Sequence, residues 1–188
     1  IFVIIIIIAH SVLGQSKQKE ENVRFISFTM ESDFAGWQTI NDGVMGGISE
    51  SVFLKHNDSN STFKGTVSPE NNGGFASARF TLTDKKLPPA TQGFAIRVKG
   101  DGKTYSFRCR TVEGMNGISY ETLFVTKKNQ WTEHLFPLNA FKAVFRGRTV
   151  PDAPLLKPEN IRQIGFLISK KQFGDFKLII DYIDCTIE

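Results

Sequence analysis

The sequence predicts an all-β domain, an antiparallel β-sandwich jelly roll. Three observations carry that expectation. About ten apolar runs, most of period two, recur at short intervals between Gly, Pro, Asn and Asp clusters, the pattern of a sheet protein with tight connections. No segment shows the 3.6-residue period of a long amphipathic helix. The chain carries 17 Phe among runs of Val, Ile and Thr, residue types that fit a pleated surface buried on one side. A length of 188 residues suits one domain with a substantial core.

The elements follow in chain order. Residues 1–14, IFVIIIIIAHSVLG, are an uncharged apolar run ending in small residues and followed by the polar SKQKEEN. This pattern predicts a signal peptide over 1–14, truncated at its start and cut before Gln15, then a polar linker over 15–24 and a single β-sandwich domain over 25–188. The run falls short of the roughly 20 residues that span a bilayer. A secreted or periplasmic location is expected, or a membrane-anchored one if the segment stays uncut.

Strands are expected at VRFISFTM, SVFLKH, TFKGTVS, FASARFTL, GFAIRVK, TYSFRCRT, ISYETLFVT, WTEHLF, IRQIGFLIS and FKLIIDYIDCTI. Gly100-Asp101-Gly102-Lys103 reads as a hairpin turn. A phosphate-binding GxxxxGK[ST] loop would need glycine where Arg97 stands and a helix to follow. Short helical turns are expected near Lys157–Arg162, where Pro158 suits a first helical position, and around Leu138–Ala143.

Alternation sorts the faces. Phe94, Ile96 and Val98 share one side of their strand, leaving Arg97 and Lys99 opposite; Tyr105, Phe107 and Cys109 share another, leaving Arg108 and Arg110 opposite. If the strands are neighbours, Arg79, Arg97, Arg108 and Glu121 form one polar patch, either a solvated face or a binding surface. Cys109 and Cys185 both fall among apolar neighbours, the second with Ile179 and Ile183. They are either two buried thiols or, after export, a disulfide.

Chemistry is sparse. The net charge of +4 is scattered in short pairs with no nucleic-acid-binding module, so no nucleic-acid partner is expected. His56 and His134 stand alone on strands and read as surface residues, which leaves no His or Cys constellation for a metal and no triad. No cofactor is expected. Asp42, Glu50, Glu70 and Glu121 are the carboxylates available to a glycosidase-like pair. Trp37 and Trp131 are candidate sugar-stacking platforms or packing residues. Asn57-Asp58-Ser59 and Asn60-Ser61-Thr62 are glycosylation sequons.

Five stretches, NDGVMGGISES, FKGTVSPENNGGFASARF, RVKGDGKTYSFRCRT, FRGR and IGFLISKKQFGDFKLIID, occur in order from about Trp37 onward. Together they resemble the complex I intermediate-associated protein 30 family. The resemblance implies a galactose-binding-like jelly roll and a non-catalytic role, since mitochondrial members are assembly factors for respiratory complex I. The export-like start departs from the transit peptide of those members.

Motif positions fall on Asn41, Asp42, Gly43, Met45, Gly46 and Gly47, on Asn72 to Phe75 with Ser77 and Arg79, on Lys99, Gly100, Gly102, Tyr105 and Arg108, and on Phe145 to Arg148. The residues expected to bind a ligand or partner are Asn41, Asp42, Met45, Asn72, Arg79, Arg108, Arg146 and Arg148. In this reading NDGVMGG, ENNGG and FRGR form one loop cluster. Asp42 pairs with Arg108, Arg146 or Arg148, and Met45 caps an apolar gap. The cluster either locks loops or recognises a partner. The expected partner is a protein, of a respiratory or envelope complex if membrane-associated; a glycan is the second class.

Overall fold

Strands with one apolar and one polar face are stable when two sheets bury their apolar faces against each other. A computed structural model describes residues 21–83, 85–112, 117–169 and 171–187. The expected signal peptide at 1–14 lies outside the described residues. The strands are β1 (Glu21–Ile26), β2 (Trp37–Asn41), β3 (Glu50–Asn57), β4 (Asn60–Val67), β5 (Ala76–Thr81), β6 (Thr91–Lys99) and β7 (Thr104–Arg110). They continue with β8 (Ser119–Val125), β9 (Trp131–Pro137), β10 (Lys142–Phe145), β11 (Arg148–Thr149), β12 (Gln163–Ile168) and β13 (Gly174–Ile187). The one described α-helix, α1, is the short Ser32–Ala35. Among the described residues no helix is long and apolar enough to cross a membrane.

The strands form two antiparallel sheets. One runs β3-β4-β13-β6-β9 with β1 beside β13, and the other runs β11-β10-β8-β7-β12-β5-β2. This is the expected all-β sandwich. β13 organises the first sheet: β6 lies along one side of it, while β4 and then β1 share the other. Its register shifts between Ile180 and Tyr182. That bulge changes the strand's parity, so Phe176, Leu178 and Ile180 before it and Ile183 and Cys185 after it all reach the core. The same shift removes Ile179 from the face of Cys185, where simple alternation had put it.

The core is aromatic. Phe107 meets Phe94, Phe136 and Phe166 at centroid separations of 5.3, 5.7 and 5.4 Å, and Trp37 stacks on Phe53 at 4.1 Å. Each buried Phe contributes roughly 2–3 kcal/mol of transfer free energy, and offset or edge-on ring pairs add to it. Cys109 and Cys185 are buried and unbonded thiols. Burial holds both thiols above their usual range, Cys185 at about 11.

Several connections differ from expectation because alternation reports a strand's face and not its sheet. Gly100–Lys103 is an arch and not a hairpin: β6 lies in the first sheet and β7 in the second. The Pro158 turn is a 3-10 turn at Pro158–Asn160. The second expected helical turn is a 3-10 turn at Leu138–Ala140 followed by β10. β2, β10 and β11, of five, four and two residues, are strands too short to stand out in sequence. Glu21–Arg24, expected in the linker, belong to β1.

Candidate functional site

Asp42 begins a 3-10 turn directly after β2 and is fully buried. Its Oδ1 accepts the Ser49 N–H at 2.9 Å, and its Oδ2 accepts the Gly74 and Phe75 N–H groups at 2.6 and 3.1 Å together with the Ser49 hydroxyl. The Asp42 N–H in turn donates to the Phe75 carbonyl, and the Ser68 N–H donates to Ser49 Oγ. Burial alone would push this carboxyl up; the Ser49 hydroxyl and the amides of Gly74, Ser49 and Phe75 outweigh it, so Asp42 titrates below its ordinary 3.8.

The glycines of the motif follow from this carboxylate. A side chain at Gly47 would overlap the Asp42 carboxyl, and a Cβ at Gly73 would lie 2.7 Å from Oδ2. Gly46 sits at φ +90, left-handed backbone that favours glycine. β2 to β3 crosses between the sheets in one direction and β4 to β5 in the other. Asp42 therefore staples two crossovers side by side from a fully buried position.

The other members of the expected cluster do not join it. Arg108 pairs with Glu121 at 2.5 Å and not with Asp42. Arg146 and Gly147 form the positive-φ tip of the β10-β11 hairpin, with Arg148 beside them. β11 and β2 are opposite edges of the seven-stranded sheet, six intervals or about 29 Å apart at the roughly 4.8 Å spacing of strands. Met45 is 62% exposed and caps nothing. Asn41 accepts the Ser51 hydroxyl at 2.6 Å. Asn72 is an exposed loop residue at φ 58.

A second group does come together. On the outer face of the seven-stranded sheet, pairing puts Gln38, Arg79, Gly165, Arg108, Glu121 and Lys142 in one row across six strands. Thr81, Gln163, Arg110 and Ser119 form the next row. Arg79, Arg108 and Glu121 thus share the patch anticipated from alternation, whereas Arg97 lies on β6 in the other sheet, paired with Asp181. Burial, and then repulsion from Arg110 and Arg108, lowers the Arg79 guanidinium to about 10. Burial and Arg108 lower Arg110 in the same way. The sequence had shown Arg110 on the right face but gave it no role, and Gln163 carried no signal at all.

The remaining candidates resolve into packing. Trp37 is core, and Arg97 lies 4.8 Å over the Trp131 ring. His134 is not a plain surface residue: it packs 5.0 Å from Phe124, and burial lowers its pKa below 6.5. In the second sequon Asn60 is buried and donates to Asp181 at 2.8 Å, which removes it as an acceptor for glycosylation. Of the four carboxylates, Asp42 and Glu121 are engaged as above, while Glu50 and Glu70 are exposed. No group of three His, Cys, Asp or Glu able to hold a metal occurs among the described residues.

Comparison with known proteins gives two results. Residues 26–180 match the family described as complex I intermediate-associated protein 30. A mouse (Mus musculus) protein, complex I intermediate-associated protein 30, mitochondrial, is 26% identical over 185 residues, covering 83% of this chain and 53% of its own length. The chain therefore spans about half of that relative. Among solved structures, the family 11 carbohydrate-binding module of a Clostridium thermocellum cellulosomal cellulase superposes with a TM-score of 0.64 at 14% identity, over 92% of this chain and 97% of the module. The family 11 module from that organism in complex with a β-1,3-1,4-mixed-linked tetrasaccharide gives 0.60, also at 14% identity, over 88% and 94%. At such identity the likeness establishes the β-sandwich fold and nothing finer.

Proposed function

The chain belongs to the complex I intermediate-associated protein 30 family, and from that premise we propose that it is a non-catalytic binding module of the assembly-factor kind, engaging a protein partner. One observation supports this most: a row of polar and charged side chains, from Gln38 through Arg79, Arg108 and Glu121 to Lys142, crosses six strands of the outer face of one sheet. Such a surface suits another protein. It offers broad contact and arginine anchors instead of a deep cleft. The loop end around Asp42 serves this face by holding the sheets in place and not by touching the partner. The apolar segment at 1–14 supports an exported setting, so the partner is sought among respiratory or envelope complexes on that side of the membrane.

The test is cross-linking and affinity capture of the tagged chain from intact cells. A membrane-complex subunit should be enriched with the wild type and lost with Arg108→Glu, while Arg148→Glu, on the distant hairpin, retains it. Recovery of no membrane or envelope protein above control would overturn the proposal. The glycan-binding alternative is less well supported, since Trp37 is packed in the core and one face of Trp131 carries Arg97.

A further inference from the structure

Within the polar face, two buried atoms have no partner among the described residues. Arg110 is 6% exposed; its Nη1 donates to Ser119 Oγ at 2.5 Å and its Nη2 to the Gly117 carbonyl at 3.3 Å, but its Nε–H donates to nothing. Gln163, directly opposite Arg110 across the strand pair, is 9% exposed; its Nε2 donates to Thr81 Oγ1 at 3.0 Å, but its Oε1 accepts nothing. Buried donors and acceptors are normally paired, because leaving one dry costs free energy. A neighbouring orphan donor and orphan acceptor on a binding face therefore mark a place for an incoming group.

The surroundings say what kind of group. Gly165 stands between Arg79 and Arg108, and a Cβ there would overlap the Ala78 carbonyl. The missing side chain leaves a dimple of about 10 Å³ lined by Ser77, Arg79, Arg108, Arg110, Gln163 and Leu167. That space admits the tip of a small polar group and not a sugar ring. Arg110, one of the residues lining it, keeps a buried charge there with only the neutral Ser119 hydroxyl and Gly117 carbonyl as its hydrogen-bond partners, which favours an anion.

We propose that this dimple is a carboxylate-binding site that takes an Asp or Glu side chain from a protein segment, with Arg110 Nε and Gln163 Oε1 as its innermost contacts. The proposal rests on the protein-binding reading above and specifies its chemistry. A carboxylate is planar, as a guanidinium is, and accepts from Nε–H in the guanidinium plane. The peptide N–H of the same segment supplies the donor that Gln163 Oε1 lacks. Leu123, 46% exposed one row from Arg108, gives the segment an apolar neighbour. None of the named residues in these rows is aromatic, which favours a peptide over a sugar, since sugars are held largely by stacking.

The test is a titration of ¹⁵N-labelled protein at low salt, following the arginine Nε–H signals and the Gly165 amide. The probe is a blocked tri-glutamate peptide, with sodium phosphate and galacturonate as separate arms. Saturable shifts of Arg110 Nε–H and Gly165 with the peptide are expected, at least tenfold weaker with phosphate or galacturonate. Arg110→Lys keeps the charge but removes the Nε–H, and should weaken peptide binding at least tenfold with the backbone spectrum otherwise preserved. If that variant does not fold, the wild-type titration still decides. Unmoved Arg110 and Gly165 signals would overturn the site, and an equal response to phosphate or galacturonate would overturn its assignment to an acidic protein segment. A null titration alongside successful partner capture removes this site and leaves the assembly reading standing; peptide binding without partner capture does the reverse.

Discussion

At the scale of single residues, Asp42 decides how one end of the molecule is built. Removing its carboxylate leaves three amides and a hydroxyl without their acceptor in a buried place, so Asp42→Ala should cost roughly 3 kcal/mol or more. Asp42→Asn, which keeps one acceptor oxygen, should cost less; urea denaturation of both variants checks the order. Gly47→Ala should be as damaging as Asp42→Asn, because its methyl needs the space the carboxyl occupies. Acid tests the same group. Asp33, raised by burial but drawn down further by Lys85 and Ser27, and Asp42 both titrate below 3.8 when folded. Their contribution is complete above 3.8 and is lost as the pH falls through the folded values. Asp184, raised by burial despite Arg24, works in the opposite sense. His134, depressed by burial, withdraws stability as the pH falls below 6.5. Melting temperatures should therefore fall in two stages on acidification, the first absent in His134→Gln and the second reduced in Asp42→Asn.

At the scale of elements, β13 and β1 were the hardest to foresee. The run FKLIIDYIDCTI is plainly a strand, but its bulge is invisible to alternation, and only the observed pairing explains why Ile180 and Ile183 both point inward. Glu21, Asn22 and Arg24 are polar, so the sequence pattern divides β1 between linker and domain. Pairing with β13, and the Arg24–Asp184 ion pair at 2.5 Å, hold it in place all the same. Removing residues up to Ile26 should lower the melting temperature by several degrees relative to a cut after Glu20, which ends just before β1. The deeper cut also bares the edge of β13, and light scattering should then report aggregation.

At the scale of the whole molecule, the sandwich was legible because composition and period-two alternation are properties of every strand. The site was legible only in part. Arg79, Arg108 and Glu121 were placed on one face by alternation alone. The NDGVMGG and ENNGG loops meet through Asp42 bonds that no sequence pattern displays. FRGR lies apart from both, since sheet order sets distance and the sequence does not state sheet order. Packing over the whole interior also predicts thiol behaviour: Cys109 and Cys185 should resist a thiol reagent in the native protein and react together in denaturant, measured by absorbance. Reaction of either one in the native state would mean that the sandwich opens.

The position of β13 in the chain has a consequence in time. It is the last described strand, yet it lies at the centre of its sheet, with β4 and β1 on one side and β6 on the other. During synthesis β4, β1 and β6 must each keep an edge unpaired until β13 has emerged, because the strand that unites them follows all of them. Folding then closes many long loops at once, which makes it slow and sets a long window for capture by chaperones.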